Sequence, residues 1–112
     1  MGFQYRIFFE PLRSLSYTSL SGSYVALGAP YQDPARMIKF TNETDADVTI
    51  SFDGTTDHDI VPAGTSQIYD FCSNRTTTPN DFLVQIEGTQ CYVATAGSPS
   101  AGSVYLTVMY AD

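Results

Sequence analysis

Between Phe40 and Gly54 the chain contains a run, Asp47 to Phe52, that alternates polar and apolar residues with a period of two and then meets an Asp-Gly pair. Val48, Ile50 and Phe52 fall on one side of an extended strand, while Asp47, Thr49 and Ser51 fall on the other. Such a period does not suit a helix, whose buried stripe needs apolar residues three and four apart. Asp53-Gly54 supplies residues that tolerate the positive φ angles of a tight turn, so the segment predicts half of a β-hairpin.

The same alternation recurs along the chain. Phe3, Tyr5, Ile7 and Phe9 share a face before Pro11 ends the run. This reads either as an edge strand or as an arm exchanged between subunits. Residues 12–28 hold one or two further strands, residues 28–34 form a loop around two prolines, and Ile38 and Phe40 then face inward. Pro62-Ala63-Gly64 reads as a type I turn with proline second, followed by a short strand from Gln67 to Phe71. Beyond a polar loop at 73–81, residues 82–86 and 90–94 flank Glu87-Gly88-Thr89 as a second hairpin. The final strand carries Val104, Leu106, Val108 and Tyr110 on one face and Tyr105, Thr107 and Met109 on the other. Both of its faces want cover, from a sandwich core or from another subunit.

Helix-building material is scarce: Lys39 is the one lysine, and Glu, Ala and Leu gather in no window of helical length. The expected fold is all-β: a single antiparallel β-sandwich or jelly-roll-like domain over residues 1–112. It has about eight short strands, with residues 1–34 as an extended N-terminal arm or strand and loop. At 112 residues the chain can bury roughly two thirds of its unfolded surface without metals or disulfides. Cys72 and Cys91 therefore read as reduced thiols, Cys91 as a small apolar strand residue.

The net charge is -7 and unevenly placed. Arg6, Arg13, Arg36 and Lys39 outweigh Glu10 and Asp33 before residue 43, whereas Arg75 faces ten carboxylates after it. This balance argues against direct nucleic-acid binding, which needs clustered cations. It suits a solvated acidic surface, or identical copies docking basic arm to acidic body. Residues 1–6 contain neither a secretory apolar block nor a myristoylation pattern, so no membrane insertion is expected. Two sequons, at Asn42 and Asn74, read as chance matches.

Catalytic chemistry finds little purchase. His58 is the only histidine, it lies between Asp57 and Asp59, and no nucleophile elbow accompanies it. Asp45, Asp47, Asp53, Asp57 and Asp59 crowd one region, and of these Asp53, Asp57 and Asp59 are weak calcium candidates. They lack the ordered ladder and distal Glu of an EF-hand, so turn formation explains them first. No zinc spacing, phosphate loop or dinucleotide fingerprint occurs. No catalytic residue, cofactor or small-molecule substrate is expected, and Phe3, Tyr5, Ile7, Phe9, Tyr105 and Met109 are the candidate interface residues.

The residues Ile38-Lys39-Phe40-Thr41-Asn42 with Thr44-Asp45, then Asp47 through Gly54, Val61-Pro62-Ala63-Gly64 and Gly102-Ser103-Val104-Tyr105, form a combination. Over roughly residues 36–110 it resembles the small β-sandwich virion proteins of tailed bacteriophages. The resemblance implies a non-enzymatic structural component, assembled in the host cytoplasm into the virion in many copies. Its place would be capsid decoration or cement, the head-tail junction, or the tail, and its partners itself and other virion proteins. The residues themselves leave a second possibility open, a carbohydrate-binding or calcium-assisted surface module that uses the Asp-rich turns and the tyrosines.

Overall fold

The structure is a computed structural model that describes residues 6–71 and 85–111. Nine strands are present among the described residues. They are β1 (Ile7–Phe9), β2 (Arg13–Ser16), β3 (Val25–Ala26), β4 (Met37–Asn42), β5 (Val48–Ser51), β6 (Asp59–Val61), β7 (Ser66–Asp70), β8 (Tyr92–Thr95) and β9 (Ser103–Ala111). A 3-10 turn at Tyr17–Ser19 follows β2, and the described residues contain no α-helix. One sheet has the order β1-β9-β4-β7 with β2 also paired to β9; the other has the order β3-β8-β5-β6. Every pairing is antiparallel, so the fold is the expected all-β sandwich, with nine described strands instead of about eight.

β9 organises the larger sheet because it is long enough to pair with β4 along one side and with β1 and β2 along the other. Its alternate residues Val104, Leu106 and Val108 are fully buried, as are Ile38 and Phe40 of β4. Across the sandwich they meet Val48, Ile50, Val61 and Val93 of the smaller sheet. The period of two thus translates directly into one inward face per strand. Between the sheets, the fully buried Asn42 ends β4 and is satisfied on both sides. Its Nδ2 donates to the carbonyls of Ala46 (2.9 Å) and Val61 (3.0 Å), and its Oδ1 accepts from the Thr44 amide (3.0 Å) and hydroxyl (2.6 Å). An asparagine sealed in this way is not a glycan acceptor in the folded protein.

The edge of the larger sheet is interrupted. Phe9 pairs with Met109 and Arg13 with Leu106, so four steps along the edge answer three along β9. This extra residue is a β-bulge, and it reverses which side chains face the core. Ile7 and Phe9 point outward from β1, whereas Arg13 and Leu15 point inward from β2.

Three local expectations are corrected. β5 and β6 pair as the expected antiparallel hairpin, but Asp53-Gly54 is not a two-residue turn, because β5 ends at Ser51, β6 begins at Asp59, and Gly54 (φ 82°) is positive while Asp53 is not. The Asp53 carboxylate instead gathers the amides of Thr55 and Thr56, both at 2.8 Å, and so winds a longer loop. The turn after β6 is displaced by one residue: the Thr65 amide donates to the Pro62 carbonyl, which puts Gly64 (φ 72°) third. A glycine with positive φ at that position is the signature of a type II turn, not type I. Finally, the proposed hairpin of 82–86 with 90–94 is not seen in its described part. Gln85 bridges to Ala35, and β8 pairs with β3 and β5. Residues 82–84 of that expectation lie outside the described residues.

Candidate functional site

Three places hold the groups that could do chemistry or bind. The first is the loop between β5 and β6. His58 accepts the Phe52 amide at Nδ1 (3.0 Å) and its ring stacks on Phe52 with centroids 5.9 Å apart. Its Nε2 lies 3.9 Å from an Asp53 carboxylate oxygen, too far for a hydrogen bond. Ser51, the nearest serine in sequence, donates to Asp53 (2.8 Å) and accepts from the amides of Asp53 and Gly54. Through these contacts the histidine braces the loop. A cleft of about 340 Å³ beside it is lined by Thr49, Asp57, His58, Asp59 and Ile60.

The weak metal candidates are not brought together. Asp53 serves its own loop, Asp57 accepts the Tyr24 hydroxyl, and Asp59 accepts the Tyr69 hydroxyl and the Ile60 amide. The Tyr69–Asp59 bond joins β7 of one sheet to β6 of the other, which closes that edge of the sandwich. Among the described residues no group of three or more His, Cys, Asp or Glu side chains is placed to hold a metal ion. The amides of Thr55 and Thr56, with the Ser51 hydroxyl, hold the Asp53 carboxyl well below the usual carboxylate range. The side chain and amide of Ser100 hold Asp45 down in the same way.

The second place was not foreseen from the sequence. At the bulge, buried Glu10 accepts from the Arg13 guanidinium (2.7 Å) and from the amides of Gln32 (3.0 Å) and Asp33 (2.8 Å). Arg13 donates further to the carbonyls of Ala29 (2.8 Å) and Pro30 (3.2 Å), and it lies over the buried ring of Tyr31. Burial raises the Tyr31 hydroxyl above its ordinary range. The pair pins the 28–33 loop against the sheet edge, and an open groove of about 430 Å³ beside it is lined by Pro11, Leu12 and Gln32 among others. One signal was available in the sequence: Glu10 and Arg13 are opposite charges that flank Pro11 inside a strand pattern.

The third place is the outer face of the larger sheet, and it collects the candidate interface residues. Ile7 and Phe9 are exposed on it, while Tyr105 and Met109 are half-buried on the outward face of β9. Phe3 and Tyr5 lie outside the described residues. Cys91 is buried and free, and burial pushes its thiol up to about 12, which leaves it a packing residue at neutral pH. No helix among the described residues is long and apolar enough to cross a membrane.

No protein-family model matches this chain, and no curated protein matches it.

Proposed function

We propose that this chain is a non-enzymatic structural component of a tailed-bacteriophage virion, assembled in several copies through its β-sheet surfaces. The observation that carries the reading is the outer face of the larger sheet, where Ile7, Phe9 and Ile68 are exposed and Phe9 lies in one row with Met109 and Met37. A surface of that kind suits protein contact. The groups that could otherwise suggest chemistry are engaged in structural bonds: His58 by the Phe52 amide and Asp53 by Thr55 and Thr56 within one loop, and Asp59 by Tyr69 between the sheets. The resemblance of residues 36–110 to small sandwich proteins of tailed phages names the kind of assembly, and the sandwich fold is compatible with it.

The test is to purify particles from lysates of cells carrying the gene on a density gradient and to quantify this chain by mass spectrometry. The chain is expected to band with the particles in many copies relative to the shell protein. Its confinement to the soluble fraction overturns the reading.

A further inference from the structure

Building on the reading that the chain assembles in several copies, we propose that the outer face of the larger sheet seats a second copy of the same chain. The two copies pair face to face across a two-fold axis. Register places Phe9, Met109, Met37 and Asp70 side by side in one row, with Thr107, Lys39 and Ile68 in the next. Phe9 is 64% exposed and Ile68 62% exposed, at opposite edges of the sheet. Burying them against another apolar face is favourable.

Charge selects the occupant. Among the described strand residues directed outward from this sheet, Lys39 and Asp70 are the charged ones, and their signs cancel. The chain as a whole carries -7, and Glu43, Asp45, Asp47, Asp53 and Asp57 lie in the loops that flank β5. A basic partner is steered to those loops. Two like copies repel wherever the loops meet, whereas this face carries no net charge to add to that repulsion. With the axis along the strands between β4 and β9, β7 of each copy lies over β1 of the other. Lys39 then opposes the β9 strand of its neighbour, not a second Lys39.

The area is that of a weak, dissociable dimer. The strands of this sheet, from three residues in β1 to nine in β9, rise about 3.3 Å per residue and lie about 4.8 Å apart, which makes a face of about 430 Å² per copy. The total of about 860 Å² lies below the standard range of specific interfaces, where weak and transient complexes fall.

Sedimentation velocity of the full chain over a concentration series tests this. A reversible monomer-dimer equilibrium is expected, with Phe9→Asp and Ile68→Asp each raising the midpoint concentration by about tenfold or more. Ile60→Asp, which changes a 51% exposed residue on the other sheet, is expected to leave it unchanged. Matching circular dichroism and melting curves establish that each variant is folded, and the two edge variants give independent readings. A wild-type chain that stays monomeric at every concentration overturns the proposal, as does a dimer lost on Ile60→Asp and kept by both edge variants. Association with particles by a strictly monomeric chain removes this proposal and keeps the virion reading. A dimer that never joins particles does the reverse.

Discussion

The Glu10–Arg13 pair and the Asp53–His58 loop are built alike yet sit in opposite surroundings. Each centres on a carboxylate that accepts backbone amides, Gln32 and Asp33 in one case and Thr55 and Thr56 in the other. Glu10 and Arg13 are buried, whereas Asp53 and His58 are exposed. Burial raises the cost of every unmade bond, because water cannot replace a missing partner. The region with the conspicuous chemistry in its sequence is therefore the one where each bond matters least. The inconspicuous pair is where the fold is most vulnerable.

The largest expected effect follows from breaking that pair. Glu10→Ala or Arg13→Ala leaves an unmatched buried charge, which costs about 3–5 kcal/mol. A domain of this kind has about 5–15 kcal/mol in total, so urea unfolding should show a large shift in midpoint. A loss below about 1 kcal/mol would mean that the pair is not sealed from water. The double variant Glu10→Leu with Arg13→Met sharpens the point, because it removes both charges together. It should be at least about 1 kcal/mol more stable than the weaker single variant, since an apolar replacement avoids the unpaired ion. Recovery stays incomplete because the Gln32 and Asp33 amides lose their acceptor.

A smaller effect isolates the steric seat of Arg13. Gly28 and Gly64 share φ 72°, but a Cβ on Gly28 would stand 2.6 Å from Arg13 Cγ, whereas one on Gly64 meets nothing within 4 Å. Gly64→Ala should cost only the left-handed backbone strain, about 1–2 kcal/mol. Gly28→Ala should cost more, and the difference between the two melting shifts measures how firmly Arg13 is held. Equal shifts would show an Arg13 stem free to move aside.

The inward faces of β4, β5 and β9 were legible because burial alternates with the side-chain period, and Ile38, Phe40, Val48, Ile50, Val104, Leu106 and Val108 all took the side their spacing assigned. Pairing partners were not legible. β4 and β5 are neighbours in sequence yet belong to different sheets, and residues 85–91 pair with the 27–35 loop instead of closing a hairpin. Such choices depend on non-local packing that no short window contains. Turns failed for a different reason: Asp53-Gly54 permits a tight turn, but the Asp53 side chain found two amides further along and drew the loop out. At the candidate interface, the shared face of Ile7 and Phe9 was legible, while its outward direction depended on a bulge that reverses the register.

The smallest effect belongs to Asp53, and pH separates its charge from its role as a turn former. Its carboxyl titrates below the usual value of about 3.9 because the Thr55 and Thr56 amides favour the ionised form. A depressed folded value means that the stabilisation is fully present above about pH 4 and is lost as pH falls through the folded value. Asp53→Asn keeps an oxygen for those amides but has no proton to take up. The wild type should therefore exceed Asp53→Asn in urea midpoint at neutral pH, and the gap should close as the solution is acidified. Asp45, also held down by Ser100, titrates in both proteins and cancels in the difference. A gap that stays constant with pH would assign the effect to amide geometry alone, and it would make the contrast with Glu10 one of shape instead of charge.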